Sequence, residues 1–209
     1  MRIFCLVFAM IAVINFRATP ASAYFATLDT GDLVKPQKYR LSLSPQIIFN
    51  KYDGANITSR FDTGINEDSS VRAILGVGKV DFQIGGFYKY VPYPDTAQQP
   101  AIGGMAGLII ARVNGGSEVS LRFHPLISKR LNTKIGDVVP YGTIPLGITT
   151  RSEETFVPVQ LAGGAEWKPE NLLNFSFQAE IGLNISRSFS YIAAAAVFDF
   201  DEDTLKRRK

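Results

Sequence analysis

Residues 173–185 set the tightest constraint on the fold. Leu173, Phe175, Phe177, Ala179, Ile181, Leu183 and Ile185 alternate without a break with Asn174, Ser176, Gln178, Glu180, Gly182 and Asn184. Successive side chains of a β-strand point to opposite faces, so this stretch makes a strand with one apolar and one polar face. A helix would spread the same residues around its whole circumference, which excludes a helix here.

Shorter copies of the pattern recur along the chain. Tyr39, Leu41, Leu43, Pro45, Ile47 and Phe49 oppose Arg40, Ser42, Ser44 and Gln46, and Ile57, Ser59, Phe61, Thr63 and Ile65 oppose Thr58, Arg60 and Asp62. Val71, Ala73, Leu75 and Val77 oppose Arg72 and Gly76; after Gly78-Lys79, Phe82, Ile84, Gly86, Tyr88 and Tyr90 oppose Asp81, Gln83 and Lys89. Further predicted strands cover about 101–113, 119–125, 138–150, 155–167 and 188–200, which makes ten in all, with eight as the fallback count. A Pro-rich loop at 91–100, a polar loop at 129–137 and turns at 115–116, 151–154 and 168–171 separate them. Two strands are apolar on both faces. Met105, Ile109 and Ala111 oppose Ala106, Leu108 and Ile110, and Val157, Val159 and Leu161 oppose Phe156 and Pro158. Such strands are expected to be buried on both sides.

Short turns make consecutive strands antiparallel neighbours, and closing the meander on itself removes both exposed edges. The chain is therefore read as all-β, an antiparallel up-and-down β-barrel over residues 39–200. Before it come two other segments. Arg2, the apolar run Ile3–Ile14 and the small-x-small site Ala21-Ser22-Ala23 make residues 1–23 a secretory signal peptide, cut before Tyr24. Residues 24–38 show no period and are expected to be loosely held. Residues 201–209 end in Lys206, Arg207, Arg208 and Lys209 and read as a charged, solvated tail. Removing the signal takes Arg2 and Arg17 and no acid, so the formal charge falls from +3 to +1 and gives no reason to expect nucleic-acid binding.

Strands of nine to eleven residues with alternating faces, behind an export signal, resemble small bacterial outer-membrane β-barrel proteins of the outer-membrane-protein-A-like and porin-like kind. The resemblance covers residues 39–200. The family's terminal aromatic pattern is met by Phe198-Asp199-Phe200, with Ala195 where the pattern has Gly and with nine residues following Phe200. The resemblance implies a transmembrane barrel in the outer membrane, contact with outer-membrane lipid, and handling by the barrel-assembly machinery during biogenesis. Its role would be structural or a restricted passage of small solutes. The alternative is an exported soluble barrel, periplasmic or secreted, that binds a hydrophobic ligand inside; Arg40, Arg60, Arg72 and Glu180 would then be exposed.

In the membrane reading the polar face points inward. Arg40, Arg60, Asp62, Arg72, Asp81, Gln83, Lys89, Arg122, Gln178 and Glu180 are then the candidate lumen-facing residues, expected either to fill the lumen with ion pairs or to line a narrow charged pore. Tyr88, Tyr90, Tyr93, Phe87, Tyr141, Phe156 and Trp167 near strand ends are expected to form an interfacial aromatic girdle. No catalytic residue, metal site or cofactor is expected. His124 is the only histidine, Cys5 lies in the signal, and no nucleophile elbow, zinc motif or phosphate loop is present. The strand glycines are expected to serve curvature or close approach.

Overall fold

The computed structural model describes residues 26–50, 53–113, 115–152 and 154–201. The predicted signal 1–23, Glu153 and the tail past Asp201 lie outside the described residues. Thirteen strand segments follow one another: β1 Lys38–Ile48, β2 Gly54–Gly64, β3 Ser69–Gly78, β4 Phe82–Tyr93, β5 Ala101–Val113, β6 Gly116–Ser128, β7 Leu131–Thr133, β8 Gly136–Thr143, β9 Leu146–Arg151, β10 Glu154–Phe156, β11 Val159–Lys168, β12 Phe175–Ser186 and β13 Tyr191–Asp201.

These segments build ten wall strands. β6 and β7 are one, because Leu126↔Thr143, Ser128↔Tyr141 and Leu131↔Val138 keep a single register across Lys129-Arg130. β8 and β9 are the next, interrupted at Ile144-Pro145. β10 and β11 are the third, interrupted at Val157-Pro158, with Phe156↔Thr149, Val159↔Leu146 and Ala162↔Thr143 again in one register. Proline has no N–H to give the ladder, and two of the three breaks fall on one. The expected polar loop at 129–137 is thus the tip of a long hairpin, and the two strands expected at 138–150 and 155–167 are each split. All neighbours are antiparallel, and β13 closes the ring on β1 with Lys38↔Asp201 through Ile48↔Tyr191.

The ring is staggered. Paired residues lead from Tyr39 through Thr63, Val71, Tyr88, Ala106, Phe123, Leu146 and Val159 to Ser186, the far end of β12. In the other direction Tyr39 pairs with Phe200, two residues along β13 from Phe198, the partner of Phe175 at the near end of β12. A slip of about one strand length around the ring tilts the strands by roughly 35–45° to the barrel axis.

The alternating apolar face points outward. Leu43, Ile57, Leu75, Leu108, Leu121, Ile148, Ile181 and Ile192 are each about half exposed, whereas the residues between them are buried. Neither strand expected to be buried on both faces is: Leu108 and Ile110 are each 53% exposed while Met105, Ile109 and Ala111 turn into the lumen, and Val157 and Leu161 face outward while Phe156 and Pro158 are buried. The far half of the lumen holds an apolar cluster that includes Ile48, Ile74, Val80, Ile109, Val113, Phe189 and Tyr191. The near half, at the rim that carries Lys38 and Asp201, is polar.

Candidate functional site

The polar half of the lumen is built from alternate residues of the wall strands around an inserted piece of chain. The segment expected to be loosely held runs through the lumen instead: Thr27, Leu28, Asp29 and Thr30 are all buried to 3% exposure or less. Its amides and carbonyls have no ladder to join, so wall side chains satisfy them. The N–H groups of Thr27 and Leu28 donate to the two oxygens of Glu180, each at 2.7 Å. Two successive N–H groups thus converge on one carboxylate, and at Leu28 itself the chain bends through the left-handed region, φ 40°. Tyr191 Oη donates to the same carboxylate at 2.6 Å.

The carbonyls are held by the opposite charge. Arg60 Nη1 donates to the carbonyl oxygens of Thr27 at 3.1 Å and Leu28 at 2.6 Å, and Arg72 Nη1 to that of Thr27 at 3.2 Å. Lys89 Nζ donates to the carbonyls of Thr30 and Asp32 and to Asp29 Oδ1. Arg72 spans Asp29 on the segment and Asp62 on β2, with Nε at 2.5 Å from Asp62 Oδ1. Gly31 N–H donates to Ser128 Oγ at 2.8 Å, and Thr30 Oγ1 to Glu166 Oε2 at 3.3 Å. Glu166 also accepts from Ser176 and Gln178. These buried charges are thus either ion-paired, as Arg72, Lys89, Asp29 and Asp62 are, or hydrogen-bonded to neutral groups, as Glu180 and Arg60 are, which is what makes their removal from water tolerable.

Nine of the ten candidate residues lie in the lumen: Arg40, Arg60, Asp62, Arg72, Gln83, Lys89, Arg122, Gln178 and Glu180, none more than 8% exposed. Asp81 does not. The chain reverses one residue earlier than the alternation suggests, Val80 takes the inward position, and Asp81 is exposed in the turn, accepting from Gly115 N–H at 3.1 Å. Arg40 pairs with Asp199 across the seam between β1 and β13, Nε to Oδ1 at 2.7 Å. Gln83 lies nearer the far end, donating to Thr58 Oγ1. His124 is buried beside the Phe87 ring, with centroids 5.3 Å apart.

Sequence reasoning missed Glu166, Glu118 and the whole segment 27–32. Glu166 precedes Trp167 in a strand whose Gly- and Ala-rich stretch blurs the alternation, and Glu118 stands in a turn-rich stretch. The expected girdle is partly corrected. Phe87, Tyr141 and Phe156 point inward and are buried, while Tyr88, Tyr90, Tyr93 and Trp167 face outward. At the near rim the outward aromatics also include Tyr39, Phe61, Phe175, Phe177, Phe198 and Phe200, several in ring contact, such as Phe175 with Phe198 at 4.8 Å and Tyr39 with Phe200 at 5.5 Å. Described outward aromatics at the far rim are Phe49 and Phe82.

At the near mouth the segment leaves through a cluster of charges. Asp32 Oδ2 accepts from Lys168 Nζ at 2.5 Å and from Arg130 Nη2 at 2.7 Å. Burial alone would raise its pKa. The charge and hydrogen bond of Lys168, with the charge of Arg130, outweigh that and bring it down to about 2.

No family model matches the chain, and no curated protein does. Among solved structures the chain is similar to a de novo designed transmembrane β-barrel, at 9% identity and TM-score 0.39, covering 81% of this chain and 100% of that one. It is similar to the translocator domain of the autotransporter NalP from Neisseria meningitidis, at 10% identity and TM-score 0.38, covering 78% and 86%. It is also similar to Ail, the attachment invasion locus protein of Yersinia pestis, at 9% identity and TM-score 0.29, covering 79% and 99%. Likenesses this remote say nothing about what the chain does.

Proposed function

We propose that this chain is an integral outer-membrane β-barrel with a structural, non-enzymatic role, closed to solutes by its own N-terminal segment. The observation that carries the reading is the inverted polarity of the wall: Phe177 and Ile181 are 41% and 48% exposed, while Gln178 and Glu180 between and beside them are 4% and 3% exposed. Water does not favour a continuous apolar exterior around a charged interior; a hydrocarbon surround does. Strands of about 11 residues, rising ~3.3 Å each at roughly 40° of tilt, reach about 28 Å, close to the hydrocarbon thickness of a bilayer. The near-rim aromatics suit an interface between lipid and water. The soluble alternative needs the reverse orientation, with Arg40, Arg60, Arg72 and Glu180 exposed, and all four are buried.

Between a structural role and restricted passage, the inserted segment favours the first. Outer-membrane lipid is the proposed surrounding, and the assembly machinery the proposed transient partner. Expressed in a Gram-negative host, the full chain should stay with membranes after a urea wash and give a band that shifts on heating. Release by urea would overturn the membrane reading. Reconstituted in planar bilayers it should be electrically silent. Steady conductance of the full chain would instead favour the solute pathway.

A further inference from the structure

The inserted segment is held as a ligand is held. Its main chain is read on both edges, amides by Glu180 and Ser128, carbonyls by Arg60, Arg72 and Lys89, and its one deeply buried acid, Asp29, lies between Arg72 and Lys89. All five wall residues are at most 7% exposed. Leu28 fills an apolar position, 1% exposed, in the same cluster as Ile74 and Phe87. Within the segment, Asp32 N–H donates to Thr30 Oγ1. The segment forms no ladder with the wall. Its contacts are those of a short peptide in a preformed cleft.

The way out is loosely packed. Residues 31–36 line a cavity of about 710 Å³ together with Asn66, Glu67, Val91, Pro94, Asp95 and Arg130. On the other side Leu33, Val34 and Lys35 line a second cavity of about 260 Å³ with the near ends of β1 and β13. The stretch that ties the segment to β1 therefore has a cavity on each of two sides at the near mouth, and is held to the wall between them where Val34, Lys35 and Pro36 lie against Gly64.

We propose that the lumen is a recognition site for a short acidic peptide, read through its main chain, which residues 27–32 occupy in cis and which a peptide of the same kind occupies in trans once that segment is withdrawn. The determinants are a small apolar side chain at the Leu28 position in a left-handed bend, followed directly by an acid. The acid is the main source of selectivity, because Arg72 and Lys89 face it from two strands and a charge-assisted pair lost in a buried site is costly.

The test uses the full chain with a specific protease site inserted between Lys35 and Pro36 and cut after the barrel has folded in detergent. A fluorescein-labelled peptide of residues 26–34 is then added and its anisotropy followed. The cut chain should take up the peptide saturably, and unlabelled peptide should displace it. The peptide carrying Asp29→Asn should bind at least about tenfold more weakly, a difference of ~1.4 kcal/mol. E180Q in the barrel should weaken the unaltered peptide as well, while the uncut chain takes up none. Three results would overturn the proposal: a cut barrel that keeps its heat shift but takes up no peptide, a barrel that loses its heat shift on cutting, or equal uptake by the uncut chain. Bilayer conductance plays no part in these outcomes, so the peptide site and the membrane role fail separately.

Discussion

Tyr191 is paired with Gly182, and a side chain at that glycine would collide with the phenol ring. The same arrangement recurs where Gln83 faces Gly76, Phe87 faces Gly107, Arg122 faces Gly147 and Tyr141 faces Gly164. Each of these five lumen-facing glycines is a recess that lets a long cross-strand neighbour lie down along the wall. The sequence showed the glycines but not their partners, because pairing across strands depends on register. Gly182→Val should push Tyr191 off Glu180 and cost about 1–3 kcal/mol by overpacking, read as a lower urea midpoint. Gly86→Val, at an outward site with open space, should leave the midpoint unchanged. Asp32 gives a pH dependence with a defined sign. Its folded pKa is lowered to about 2, so the stability it adds is fully present above about pH 4 and is lost as the pH falls from there toward 2. That share is on the order of 2 kcal/mol. Asp32→Asn should remove it at neutral pH and flatten the acid limb of a plot of urea midpoint against pH.

The elements divide by how far their determinants lie along the chain. β12 was legible because its period of two is unbroken, and the face it presents follows directly: Ile181→Arg, at the middle of the strand, should cost about 2–4 kcal/mol in lipid, measured by urea titration in vesicles. A cost near zero would mean that this face does not meet hydrocarbon. β8, β9, β10 and β11 were legible as apolar stretches but not as interrupted strands, since a proline marks a missing donor without saying whether the register resumes beyond it. The inserted segment was illegible. Residues 27–32 carry no period, and what fixes them is the set Arg60, Arg72, Lys89, Ser128 and Glu180, gathered from five different strands. A local reading sees polar residues with Gly and Asp and assigns a loose end.

For the whole molecule, the outward aromatics give one rim a different chemistry from the other, and the only tryptophan of the chain reports on it. Trp167 faces outward near that rim, with its Nε1 donating to the Ile135 carbonyl at 2.9 Å. In vesicles its fluorescence should be quenched more by bromine placed shallow on the acyl chains than by bromine placed deep; quenching by neither would set the barrel outside the bilayer. The inserted segment also sets an order of assembly. Thr27 and Glu180 are joined by a hydrogen bond although 153 positions separate them. Contacts of such long sequence separation bring their entropy cost before any return. The first residues of the described chain therefore reach their final state only after β12 exists. The docking of this segment should be a slow step of folding, and until it happens the polar half of the lumen is an unstoppered mouth.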